Sequence, residues 1–451
     1  MKVKRLLLFL LILSCLTSCE VENEPIIIQS EDYHNAIDKL TEVMVHDIFS
    51  PPAASRLYVY PSIAAYETLN QNSEEYLSLA TQLNGLKPLQ ITSYKDNINL
   101  NLAALIAYLN VSEEMVFSKE IFTNYKDSLY TYWDNNNKKE FRAARSYAEE
   151  VSSQIIKWMK EDRYDKTRTM SVYNIYSDDP SVWQPTPPAY MNGIEPHWNK
   201  LRPFTLDSAS QFKPAPHPDF SLEPDSQFYK ELMSVYKINN DIREKGNESE
   251  EIAIARFWDC NPFVSVNKGH YMFAEKKITP GAHWIGICKI ACEKNQTDFK
   301  KTVYAQTKTS IAIADAFISC WDEKYRSNLV RPETLINKYI DPDWLPILQT
   351  PPFPEYTSGH SVVSSSAAEV LTTIFGDDFE FLDTTEIPYG LPARFFTSFK
   401  SAADEAIISR VFGGIHYESA VYEGKSQGIL VGKFVDQKIQ FLKFNDKDKS
   451  Q

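Results

Sequence analysis

No apolar stretch of this 451-residue sequence suggests a bilayer-spanning helix, because its conspicuous unbroken run, Leu6 to Leu13, is only eight residues long. Roughly 20 are needed to span. Alternating strand patterns are almost absent, and there is neither an internal repeat nor a low-complexity tract. Basic residues are in deficit, 47 against 60 acidic, for a formal charge of -13. Such a surface repels nucleic acid and anionic headgroups, and no nucleic-acid partner is expected. Cysteine is sparse, and the Cys288-Lys-Ile-Ala-Cys292 spacing lacks the second Cys/His pair of a zinc motif. The cysteines at 260, 288, 292 and 320 therefore read as buried thiols, or at most one or two bridges. The apolar fraction of 43% and charged fraction of 24% belong to an ordinary globular chain.

The amino terminus is different. Lys2, Lys4 and Arg5 precede the apolar run, and Leu16-Thr17-Ser18-Cys19 closes it. That tetrapeptide resembles a bacterial lipobox, so residues 1–18 read as a lipoprotein signal peptide, Cys19 as the acylated first residue of the mature chain and 19–30 as a tether. The expected location is the bacterial cell envelope, periplasmic or surface-exposed, with a lipid anchor making the only membrane contact. Removing residues 1–18 takes away three basic and no acidic side chains, leaving a formal charge of -16.

Apolar residues recur at helical spacing over Asp32 to Phe49, Arg56 to Leu69, Asn97 to Leu109, Glu113 to Trp133 and Lys139 to Glu161. Between Pro180 and Pro224 lie ten of the 25 prolines, with Trp183, Tyr190, Trp198, Phe204, Phe212 and Phe220. A segment so rich in proline cannot be a long helix, and one so rich in aromatics is not a free linker. An ordered excursion over about 178–225 is expected, draped over the helices. Helical patterning returns around Ser226 to Trp258, from Lys300 to Arg326, and in segments beginning near His360, Thr397 and Tyr417. The expectation is an all-α protein, with an N-terminal helical region over 31–225 and a C-terminal one over 226–445.

Three short segments carry chemistry together: Lys324-x6-Arg331-Pro332, Thr357-Ser358-Gly359-His360, and Ser409-Arg410-x5-His416, all within 93 residues. A tetrahedral oxyanion spreads two or three negative charges over four oxygens, so it calls for several fixed cations and donors. Lys324, Arg331 and Arg410 supply the cations. Ser358 and Gly359 precede an apolar helix whose first N–H groups favour an anion. Of the two histidines, one can attack or coordinate the central atom while the other moves protons. Gly413-Gly414 should break the helix and let Arg410 and His416 face one centre.

These segments resemble the signatures of the type 2 phosphatidic acid phosphatase/vanadium-dependent haloperoxidase superfamily, and the chain is similar in character to haloperoxidase-like bacterial lipoproteins. The resemblance implies a helical bundle of the haloperoxidase/acid phosphatase type. It implies Lys324, Arg331, Ser358, Gly359 and Arg410 around the oxyanion, His360 as general acid/base, and His416 as the vanadium ligand or the phosphorylated nucleophile. Trp321 and Phe353 resemble aromatics that line a halide site. The leading expectation is a vanadate-dependent oxidation of halide by hydrogen peroxide. The alternatives are an envelope acid phosphatase with a phosphohistidine intermediate and no cofactor, and a degenerate oxyanion-binding lipoprotein. His270 and His283 read as structural. Two positions depart from the family pattern. Thr357 replaces Pro, where it could cap the next helix. Ala420 replaces the Asp that would steady His416, and Glu423, two helical turns from His416, is the nearest substitute on that face.

Overall fold

The computed structural model describes residues 24–443 except 71–72, 74, 94–97, 174–177, 269–270 and 275; over 265–274 it describes the backbone course alone. The signal segment, Cys19 and His270 lie outside the described residues. The chain is helical, as expected. An N-terminal group comprises α1 (Ser30–His46), α2 (Pro51–Leu69), α3 (Leu100–Met115), α4 (Lys119–Lys160) and the single turn α5 (Tyr164–Thr167). After the excursion come α6 (Gln227–Glu244), α7 (Glu250–Phe257), a hairpin of β1 (Ser265–Lys268) and β2 (Tyr271–Ala274), and α8 (Pro280–Lys294). The last group is α9 (Phe299–Ser327), α10 (Pro332–Tyr339), α11 (Gly359–Phe375), a hairpin of β3 (Phe381–Asp383) and β4 (Arg394–Phe396), α12 (Phe399–Phe412) and α13 (Glu418–Lys438).

Local chemistry explains where helices begin, including where sequence reading erred. Pro51 and Pro52 occupy the first turn of α2, where a missing N–H costs nothing, with the Ser50 side chain as cap. The break expected between 133 and 139 is present: α4 is two helices meeting at a kink at Asn137, whose φ and ψ of -149° and 80° leave the helical region, while residues 113–115 belong to α3. α8 escaped notice because it is buried on nearly every side and so has no polar stripe to give it a period.

Helix α9 ties the two groups together. It packs on α2 and on α11, and one hydrophobic cluster extends from Ile26 to Phe441. The Pro-rich excursion is irregular apart from a short turn at Trp198–Lys200, and it is pinned rather than loose. The buried Asp315 carboxylate of α9 accepts from the N–H groups of Phe204 and Thr205 and from the Thr205 hydroxyl, at 2.6 to 2.7 Å. Trp183, Trp198 and Phe204 are buried beneath it, whereas Tyr190 is exposed. The four cysteines at 260, 288, 292 and 320 are buried free thiols. No helix among the described residues is long and apolar enough to cross a membrane.

Helix α13 lies against α11 at backbone distance. A Cβ on Gly428 would stand 2.2 Å from the Val362 carbonyl oxygen, with no flexible side chain to yield. We expect Gly428→Ala to lower stability by about 1–3 kcal/mol, the usual range for overpacking, as measured by thermal denaturation. Because α11 begins at the oxyanion motif, the same variant should also loosen ligand binding.

Candidate active site

Four pieces of chain assemble the site. They are the last turns of α9 with Lys324, the residue before α10 with Arg331, the 351–359 loop entering α11, and the last turn of α12 with Arg410 running into the link that carries His416. A small cavity, offering about 20 Å³ to the centre of a water molecule, is lined by Trp321, Phe353, Gly359, His360, Arg410 and His416, together with Cys260 and Phe317. The Gly-Gly expectation holds: α12 stops at Phe412, and Gly414 turns back with φ +74°. A Cβ there would lie 2.6 Å from the Asn239 amide nitrogen.

His416 is held at both ring nitrogens. Its Nδ1 lies 2.7 Å from Glu355 Oε1, and its Nε2 lies 3.1 Å from Arg331 Nη1. A guanidinium can only donate, so Nε2 must carry the lone pair and Nδ1 the hydrogen. Nε2 is thereby an unprotonated base whose lone pair Arg331 holds, and it can ligate only by exchanging that bond. Glu355 is the steadying carboxylate, fixed further by the Tyr417 N–H at 3.0 Å. Neither neighbour in sequence does this. Glu423 accepts from the Ala215 N–H, Glu418 from the Ser234 hydroxyl, and Ala420 contributes its carbonyl oxygen to the Ser358 N–H at 3.0 Å. The substitution expected from Glu423 is therefore wrong, because the carboxylate arrives from the loop before α11.

Around this base the cations are buried and only partly used. Arg331 donates Nε to the Phe353 carbonyl and Nη1 to that of Ile415, leaving Nη2 without a partner. Arg410 donates Nη1 to the Trp258 carbonyl at 2.9 Å, and its Nε is unpartnered. His360 Nε2 is likewise buried and unpartnered. Buried donors are rarely left unpaired in a folded chain, so the set has the character of a site awaiting a ligand. Lys324 behaves differently: its ammonium reaches the carbonyls of Pro354, Glu355 and Thr357 at 3.0, 3.1 and 2.5 Å. It clamps the loop that carries Glu355 and Ser358, and touches an oxyanion only by releasing one of these bonds.

Ser358, not Thr357, caps α11: its Oγ accepts from the Ser361 N–H, leaving the hydroxyl hydrogen free to donate. The Thr357 hydroxyl instead donates to Gln427. Gly359 lies against the aromatic wall, an added Cβ standing 3.4 Å from the Trp321 ring. Trp321 and Phe353 pack with ring centroids 5.0 Å apart, and Ile194 of the Pro-rich excursion accepts from the Trp321 indole N–H. The excursion thus braces this wall from outside.

Burial pushes each ionisable group of the cage toward its neutral form. Burial pushes Lys324 down to about 7, Arg331 to about 10 and Arg410 below its ordinary value. Burial and the neighbouring arginines hold both His360 and His416 well below the usual imidazole range. Burial lifts Glu355 to about 8, against the pull of Arg331 and Lys324. A buried cage of three cations and one carboxylate is short of negative charge, and an arriving anion reverses each cationic shift. His283 does not line the cavity and pairs with Asp383. Glu355 and the Trp258 carbonyl are the site groups that sequence reading missed.

The family model for the second helical-bundle domain of VCPO matches residues 305–443. A crystal structure described as the first bacterial vanadium-dependent iodoperoxidase is 56% identical, covers 94% of this chain and 100% of its own, and superposes with a TM-score of 0.90. Holo- and apo-type structures of a bacterial vanadium-dependent chloroperoxidase share the fold at TM-scores of 0.59 and 0.61. Their identities are 16% and 18%, covering 89% and 86% of this chain and 93% and 95% of theirs. No curated protein matches.

Proposed function

The chain belongs to the vanadium-dependent haloperoxidases of the type 2 phosphatidic acid phosphatase superfamily, and on that premise we propose that it binds vanadate and oxidises iodide with hydrogen peroxide. The observation that carries this reading is the lone pair of His416 Nε2, presented to a cage with unpartnered donors on Arg331 and Arg410. That donor set fits vanadate: one neutral nitrogen for the metal, and guanidinium and hydroxyl hydrogens for its oxygens. Bound vanadate would supply a Lewis-acid centre that activates peroxide toward a halide.

The residues have separate tasks. His416 holds the group through Nε2, while Glu355 fixes the ring and keeps Nδ1 protonated. Arg331 and Arg410 offset the anion's charge, and the Ser358 hydroxyl and the first N–H groups of α11 complete the donors. His360, neutral when the cage is empty, accepts or returns a proton at Nε2. Trp321, Phe353 and Phe317 give the open side an apolar wall. A large, weakly hydrated halide loses least on leaving water for such a wall, which favours iodide over chloride.

The test is halide oxidation by the purified chain after vanadate loading, beside phosphate-ester hydrolysis without vanadate. Iodide oxidation should be fastest, bromide slower and chloride absent, with no appreciable ester hydrolysis. Hydrolysis without peroxidation would sink the reading in favour of a phosphatase, which the same cage could serve because phosphate and vanadate are near-isosteric.

We also propose that the enzyme is a lipid-anchored envelope protein, supported by the basic start, the short apolar run and the Leu-Thr-Ser-Cys ending at Cys19. Cys19→Ser should move the protein from the membrane to the soluble fraction with its thermal transition unchanged. Undiminished membrane association would overturn the anchor.

A further inference from the structure

A second buried cluster lies beside the cage and takes no part in the proposed reaction. Cys260 follows α7, His283 stands in the first turn of α8, and Glu386 lies between β3 and β4. All three are buried. Cys260 Sγ is 3.5 Å from His283 Nδ1 and 3.7 Å from Glu386 Oε1, and Nδ1 is 3.2 Å from that same oxygen. A tetrahedral ion with metal–sulfur and metal–nitrogen or –oxygen bonds near 2.3 and 2.0–2.1 Å places its ligand atoms roughly 3.3–3.6 Å apart. The three separations match a triangular face of that tetrahedron.

The orientation of the imidazole points the same way. The Thr385 hydroxyl donates to Asp383 Oδ1, and Asp383 Oδ2 lies 2.8 Å from His283 Nε2. Nε2 therefore carries a hydrogen, and Nδ1 faces Cys260 and Glu386. Against the cost of burial, Asp383, Cys260 and Glu386 raise the imidazole well above its ordinary value, so a metal ion would take the place of the proton at Nδ1. A carboxylate behind a histidine is the usual support for a metal-bound imidazole. In addition, Trp258 stacks on the His283 ring at 4.4 Å. One thiolate and one carboxylate balance the charge of a divalent ion, and sulfur, nitrogen and oxygen together suit zinc better than calcium or magnesium.

We propose that Cys260, His283 and Glu386 bind a zinc(II) ion, with water at the fourth position. Without metal, the competing arrangement is a protonated His283 bridging Asp383 and Glu386 beside a neutral thiol. Cys260 also lines the active-site cavity, so the proposed ion and the cage share a wall. The site has a mechanical consequence: the Trp258 ring rests on His283 while its carbonyl holds Arg410 Nη1. A metal that fixes Cys260 and His283 also fixes the backbone that aims Arg410.

The experiment uses the full chain, exposed to zinc, freed of loosely held metal by gel filtration and analysed for metal content. About one zinc per chain is expected, with or without vanadate, and Cys260→Ser and His283→Gln should lose most of it. Cobalt(II) exchanged into the wild type should give a thiolate-to-cobalt charge-transfer band that Cys260→Ser abolishes. The proposal is overturned if the wild type retains no zinc and shows no such band. It is equally overturned if folded Cys260→Ser retains both, since another thiol would then be the ligand. Should a variant fail to fold, the wild-type metal content and cobalt spectrum decide.

Discussion

Glu355→Gln will weaken vanadate binding about 10- to 100-fold, the range for losing the carboxylate behind a metal-bound histidine, and Ala420→Asp will bring no gain. The Gln variant is informative because it separates charge from geometry. Glu355 Oε1 meets both His416 Nδ1 and the Tyr417 N–H, so the amide must keep its oxygen there and the His416 tautomer survives. What goes is the negative charge that Glu355 carries once it ionises near pH 8, which makes His416 a better base and offsets Arg331. Glu355→Ala removes the acceptor as well, frees the ring to rotate, and should lower affinity further. Isothermal titration with vanadate measures both steps. If Glu355→Gln binds like the wild type while Ala420→Asp binds more tightly, the carboxylate assigned here is the wrong one.

This pair of variants also marks what the sequence could disclose. Lys324, Arg331, Ser358, Gly359, His360, Arg410 and His416 were legible because a cage for a tetrahedral anion demands rare residue types at spacings set by helix ends. Glu355 was not. It lies 61 residues from His416, whereas helical spacing points only along the helix that follows His416, where i+7 is a neighbour. The actual partner comes from a loop that Lys324 draws inward through three carbonyls, and no periodicity encodes such a contact. His283 was set aside for the same reason. Its partners Cys260, Asp383 and Glu386 come from three separate elements, so the cluster has no motif spacing. Helices with one polar face were visible in the pattern, whereas the buried α8 was not. The proline- and aromatic-rich tract was read correctly as ordered, because its chemistry excludes both a helix and a free linker.

Oxyanion binding will be coupled to proton uptake, and its affinity will fall as pH rises above 8. Burial holds Lys324 at about 7 in the empty cage, and an anion nearby restores the ammonium toward its usual range near 10.4. For one proton taken up, the affinity changes by up to about tenfold per pH unit between those limits. Molybdate or sulfate is the probe, since neither changes its own charge in this window. The folding stability of the ligand-free chain moves the other way. The folded pKa of Lys324 lies below the unfolded one, so its contribution is complete above about 10.4 and disappears as pH falls through about 7. Glu355 has a folded value of about 8, above its model value of 4.5. Its contribution is complete below 4.5 and disappears as pH rises through 8. Glu355 alone sets the slope up to about 7, the two oppose each other from there to about 8, and beyond that Lys324 alone sets it. The melting-temperature gain from molybdate should therefore shrink steadily above pH 8, and Lys324→Gln should flatten it. A gain that is independent of pH would mean that the carbonyls of Pro354, Glu355 and Thr357 already hold Lys324 as an ammonium in the empty cage, and that the anion meets a charge set in advance.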